Sequence, residues 1–230
     1  MRGLYAIVDL ASLHEREIDP VAFSEAILSA RPAVLQLRAK GASPRDMLAL
    51  LRTLAPMCHR ISVPLVANDR PDWALLTGCD MVHVGQGDMP IDQVRRLAPG
   101  IGVGVSTHTL AELESALQAR PTYVAFGPVF ATPTKENPAP IVGVAGLCQA
   151  SKYAAVAHVP IVAIGGITRE RASLLVGAAD AIAVIGALLP TPTIGGEARA
   201  MSDILSEVAG RARELSDLFT VEPAPVVAGW

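Results

Sequence analysis

Short aliphatic runs alternate along the chain with longer stretches of mixed apolar and polar character. Eight such runs, at 4–8, 34–37, 64–67, 81–84, 101–105, 123–126, 161–164 and 181–185, are nearly continuous in apolar residues. That pattern predicts strands buried on both faces rather than strands with one solvated face. Between and after them, helical spacing recurs at 20–30, 44–60, 71–76, 91–97, 110–118, 144–158, 169–176 and 197–218. Ser43 ahead of Pro44, Thr109, and Thr168 ahead of Arg169 and Glu170 mark helix starts, because a hydroxyl can accept from an unpaired backbone N–H of the first turn. Strand then helix, eight times over, predicts a closed parallel (β/α)8 barrel, with an open doubly wound sheet as the rival of the same period.

Where the polar residues fall favours the barrel. In a closed parallel barrel the loops leaving the strand C-termini converge on one face, so chemistry is expected just after each apolar run. Gln36, Arg38 and Lys40 follow the second run, Asn68, Asp69 and Arg70 the third, and Gln86 and Asp88 the fourth. Ser106 and Thr107 follow the fifth, Thr132, Thr134 and Lys135 the sixth, and Gly165 and Gly166 the seventh. The barrel is expected to occupy residues 1–218 as one domain, and 219–230, with two prolines and no helical pattern, to form a loosely ordered tail.

Composition narrows the partners. At 230 residues with 51% hydrophobic and 18% charged side chains, the chain can bury one large core, and at 4% aromatic that core is aliphatic. A net charge of -3 leaves no basic footprint for nucleic acid, so phosphate binding must be local. No apolar segment is long enough to span a bilayer, and the N-terminus lacks a signal-peptide core. Cys58, Cys79 and Cys148 lack a CxxC pair and are expected as buried, reduced thiols, so the expectation is a soluble, cytoplasmic protein in which a homo-oligomer is allowed.

The candidate chemistry is anionic. Gln36, Arg38 and Lys40 alternate and so share a face, where two cations need nearby anions. Asp69 and Asp88 end neighbouring strands and could together hold Mg2+, which takes one or two carboxylates plus water and phosphate oxygens. Singly, Asp69 could cap the helix at Pro71 and Asp88 could brace the turn before Pro90. Gly165 and Gly166, with Ile185 and Gly186 at the end of the eighth run, could offer backbone N–H groups to a second phosphate. Thr132, Pro133, Thr134 and Lys135 place hydroxyls and an ammonium on a proline-stiffened loop. Of the five histidines, His83 reads as a packed core residue, and none is assigned a catalytic role.

Taken together, Gln36-Leu37-Arg38-Ala39-Lys40, Asn68-Asp69-Arg70, Val84-Gly85-Gln86-Gly87-Asp88 and Gly104-Val105-Ser106-Thr107-His108-Thr109 resemble the thiamin phosphate synthase family. Phe126 through Lys135 and Ala163-Ile164-Gly165-Gly166-Ile167-Thr168 extend the likeness over residues 4 to about 187. The resemblance implies a TIM barrel that joins 4-amino-2-methyl-5-hydroxymethylpyrimidine diphosphate to a thiazole phosphate, releasing diphosphate by a dissociative, Mg2+-assisted path. It implies that Gln36, Arg38, Lys40, Asn68, Ser106 and Lys135 hold the pyrimidine diphosphate, with Arg38, Lys40, Ser106 and Lys135 in catalytic roles. Asp69 and Asp88 would bind Mg2+, Thr132, Thr134, Gly166, Ile185 and Gly186 would hold the thiazole phosphate, and Pro133 counts among the substrate-binding residues. Two departures stand out: Ala39 replaces a Glu usual in that motif, and Gly186 stands where the family commonly has Ser. The competing readings are a thiazole tautomerase-like paralogue, a non-catalytic sensor of thiamin phosphates on the same scaffold, and a general phosphosugar isomerase barrel.

Overall fold

A computed structural model describes residues 1–132, 139–191 and 199–219. Eight parallel strands form a closed barrel in chain order: β1 (Gly3–Asp9), β2 (Val34–Arg38), β3 (Leu65–Asn68), β4 (Met81–Val84), β5 (Gly102–Thr107), β6 (Tyr123–Phe126), β7 (Ile161–Ile164) and β8 (Ala181–Val184). The last strand pairs with the first through Gly3 and Ala181, which excludes the open sheet. No described helix is long and apolar enough to cross a membrane.

Because successive side chains alternate sides, each apolar strand feeds two cores. Tyr5, Ile7, Val34, Val66, Met81, Tyr123, Ala125, Val162, Ala181 and Ala183 fill the barrel interior. Leu4, Leu35, Leu65, Val82, Val103, Val124, Ile161 and Ile182 face outward into the larger core shared with the helices. Tyr123, one of the interior's two tyrosines, faces a glycine across the sheet. An atom added at Gly104 of β5 would lie 1.9 Å from the Tyr123 ring, so the phenol occupies the space a side chain there would need.

The surrounding helices are α1 (Leu10–His14), α2 (Pro20–Leu28), α3 (Pro44–Arg60), α4 (Pro71–Thr77), α5 (Ile91–Leu97), α6 (Leu110–Gln118), α7 (Gly143–Val156), α8 (Arg169–Ala172) and α9 (Met201–Asp217). The three hydroxyl caps form as expected: Ser43 accepts from Asp46 N, Thr109 from Glu112 N and Thr168 from Arg171 N. In α3, Met47, Leu51, Leu54, Ala55 and Cys58 recur at helical spacing and are all buried. Each of the larger ones contributes about 1.5–3 kcal/mol relative to exposure.

The differences from the sequence expectation are local. Helix α1 was not expected; it is one short turn started by Asp9, whose carboxylate accepts from Ser12 N at 3.2 Å. The helix expected over 169–176 is cut short, passing at Ser173 into a 3-10 turn that ends at Leu175. Cys58 and Cys79 are buried as expected but Cys148 is exposed, because it sits on the outer face of α7. Phe219, the first residue of the expected tail, is buried against the core, and residues 220–230 lie outside the described residues.

Candidate active site at the strand C-termini

The strand C-termini surround a cavity of about 570 Å3. Gln36, Arg38, Lys40, Asn68, Asp69, Asp88 and Ser106 line it from one side. Thr132, Gly166, Ile185 and Gly186 line it from the other. Every expected site residue that is described therefore meets at this one mouth, while Pro133, Thr134 and Lys135 lie outside the described residues. Ala39 does not line the cavity and packs toward the outer core, so its departure from the usual Glu falls on the far face of β2.

On the first side, Arg38 at the end of β2 is ion-paired through Nη1 with Asp9 at the end of β1, a carboxylate only 5% exposed. Asp9 thus starts α1 and also anchors a cavity cation. Asp69 follows β3 with φ of 62°, a left-handed conformation uncommon for a residue with a side chain, and its N–H donates to His83 O at 2.8 Å. Asp69 does not cap the following helix, whose first residue position is preceded by Arg70 with no side-chain cap. Asp88 does brace its own turn, accepting from Gly85 N at 2.7 Å.

Burial, and then the neighbouring Asp88 carboxylate, push the Asp69 carboxyl up to about 6, against the pull of Lys40 and Arg38. A carboxyl raised by burial and by a neighbouring carboxylate marks a place where added positive charge would be favoured. Among the described residues no cluster of three or more metal-ligating side chains occurs. Two carboxylates are a donor set that Mg2+ would accept if water and phosphate oxygens completed its shell, and they do not form a dedicated all-protein cage.

On the opposite side, Gly166 has φ of 63°, and an atom added there would lie 2.2 Å from Ala131 O. Glycine is needed twice, for the left-handed backbone and for the close approach of the segment leading to Thr132. That segment is tied down further by Val129 N donating to Ile164 O and Phe130 N to Gly165 O. Gly186 begins a 3-10 turn ending at Leu188, and a Cβ atom added there would meet no neighbour within 4 Å.

Sequence reasoning missed Tyr5, Tyr123 and His83, all of which line the cavity and are buried. His83 was expected as core packing; it is buried, but on the interior face, with Nε2 2.8 Å from Ser106 Oγ. The register places it there. Asn68 pairs with His83 and His83 with Gly104 across the sheet, so His83 shares the inward face that carries Asn68. His108 also lines the cavity, but its Nδ1 lies 3.0 Å from Glu112 Oε2 at the start of α6.

Comparison with known proteins bears on this arrangement. The pattern of the thiamine monophosphate synthase family matches residues 4–188. A thiamine-phosphate synthase of Methanoregula boonei is 40% identical over 185 residues, covering 80% of this chain and 84% of that protein. One of Chloroflexus aurantiacus is 37% identical over 210 residues, covering 91% and 95%. Among solved structures, thiamine phosphate pyrophosphorylase of Pyrococcus furiosus superposes with a TM-score of 0.77 at 27% identity, over 94% of each chain. A family pattern matched along four-fifths of the chain, with relatives near 40% identity, places this chain in the thiamine monophosphate synthase family.

Proposed function

We propose that the protein is a cytoplasmic transferase that joins 4-amino-2-methyl-5-hydroxymethylpyrimidine diphosphate to a thiazole phosphate, giving thiamin phosphate and diphosphate. The observation that carries the reading is the meeting of Arg38, Lys40, Asp69 and Asp88 at one mouth, opposite Gly166 and Gly186. Cations and a carboxylate pair suit a diphosphate, and a glycine-lined wall suits the second phosphate.

In this reading the bond between the pyrimidine methylene carbon and the diphosphate oxygen breaks, its electron pair leaving with the diphosphate. The thiazole nitrogen then donates its lone pair to that carbon. Arg38 and Lys40 stabilise charge gathering on the departing oxygens, and Asp9 holds Arg38 in place so that little reorganisation is needed. Asn68 and Ser106 orient the ring, while Thr132 and the backbone at Gly166, Ile185 and Gly186 hold the partner close enough to capture the carbon before water does. A Mg2+ ion held by Asp69 and Asp88 would supply further neutralisation of the leaving group. Lys135 is assigned to the diphosphate as well, on the resemblance of its loop, with Thr134 beside Thr132 on the thiazole phosphate and Pro133 among the substrate-binding residues.

The test is release of diphosphate by purified protein given both substrates with Mg2+. Release should need both substrates, fall at least roughly a hundredfold in Asp69→Ala or Lys135→Ala, and cease in chelator. Equal turnover in chelator removes the metal from the proposal. Isomerisation of a thiazole carboxylate without diphosphate release would replace the transferase by a tautomerase, and binding without turnover by a sensor.

A further inference from the structure

One side chain from each of the first six strands joins a single hydrogen-bonded chain through the barrel interior. Ser106 Oγ lies 2.8 Å from His83 Nε2, and His83 Nδ1 lies 2.9 Å from Tyr123 Oη. Tyr123 Oη is 2.6 Å from Tyr5 Oη, which donates to Gln36 Oε1 at 2.5 Å. Gln36 Nε2 in turn donates to Asn68 Oδ1 at 2.9 Å. The two ends of the chain, Ser106 and Asn68, both line the cavity, and neither tyrosine belongs to the set that the reaction above uses.

Proton counting gives this chain a direction. Each hydroxyl has one proton to donate, and burial raises both phenols well above their ordinary range, so both stay neutral. Tyr5 spends its proton on Gln36, so it must accept from Tyr123. Tyr123 has then spent its own proton and must accept from His83 Nδ1. If the imidazole is neutral it has one N–H, so Nε2 is left as an acceptor and Ser106 donates to it. With the Gln36 amide reversed, every proton in the chain would point the other way; with the His83 ring neutral, these two settings satisfy all six groups.

We infer that Tyr5 and Tyr123 are positioning residues that hold His83 in its Nδ1–H form, so that Ser106 meets a ligand as an acceptor and Asn68 meets it as a donor. A ring that donates at one edge atom and accepts at another is then preferred over its mirror pattern. This consequence for ligand choice rests on the transferase reading, whereas the direction of the chain does not.

Two measurements test the inference. Nitrogen-15 spectra of labelled histidine at neutral pH, with His83 assigned by its loss in His83→Asn, should report a neutral ring protonated at Nδ1. Tyr123→Phe removes the acceptor of that proton, and Tyr5→Phe turns the Tyr123 proton toward His83, so either variant should move the proton to Nε2. Because the wild-type spectrum alone is decisive, failure of one variant to fold leaves the inference exposed to refutation. A wild-type ring protonated at Nε2, a charged ring, or a form unchanged in a folded variant would overturn it.

The second measurement is competition calorimetry with 4-amino-5-hydroxymethyl-2-methylpyrimidine and its 4-oxo counterpart, whose donor and acceptor are exchanged. Wild type should prefer the amino compound at least roughly tenfold, and Tyr123→Phe should bring the two close to parity. An unchanged ratio in the folded variant overturns the link to ligand choice. Failure of both compounds to bind counts against the transferase reading, and the spectra still decide the direction of the chain.

Discussion

At the scale of single residues, Asp69 joins function to a cost in stability. Its carboxyl sits at about 6 in the folded protein, above the ordinary value near 3.9, so the folded state binds this proton more tightly than the unfolded chain. The contribution favours folding below about pH 4 and is lost as pH rises through 6. With partial exposure discounting the full shift, we expect the metal-free protein to lose roughly 1–2 kcal/mol relative to Asp69→Asn between pH 4.5 and pH 7.5. Urea unfolding of both proteins in chelator measures this, and parallel pH dependences would refute it. Which residues reach the site was legible for those placed just past an apolar run, such as Asp69 and Asp88, because chain position alone sends them to the strand C-termini. It was not legible for Asp9, whose partner Arg38 is 29 residues away, nor for His83, whose neighbours hid its inward face.

At the scale of elements, all eight strands were legible to within a residue or two, since burial on both faces leaves an unbroken apolar run that little else produces. Helix α1 was not, because it spans five residues with only Leu13 buried, too few for a period to register. Nor was the depth at which β5 and β6 fit together. Gly104 and Tyr123 are direct partners across that pair, and the ring fills the glycine's side of the interior. Gly104→Ala should therefore destabilise by about 3 kcal/mol or more, because the ring is buried and can move only against β1 and β4. Gly104→Ala combined with Tyr123→Leu should recover part of that loss in chemical denaturation. A single mutant as stable as wild type would mean that the ring has room to shift.

At the scale of the whole molecule, the packing sorts the three thiols. Cys58 lies on the buried face of α3 and Cys79 beside Thr77, with burial raising them to about 12 and about 11, while Cys148 faces solvent. A disulfide reagent at pH 8 should titrate one thiol promptly in the native protein and three in denaturant. Prompt reaction of two or three in the native state would mean that the barrel opens between α3 and α4 on the assay timescale. The fit of Tyr123 into the place left by Gly104 also bears on how such a chain can change over generations. A lineage that gains a side chain at position 104 first passes through a misfit, whereas one that first shrinks the phenol gives up a link in the interior relay. The two positions are thus open to replacement only as a couple, and the order in which they are replaced decides whether folding or chemistry suffers in between.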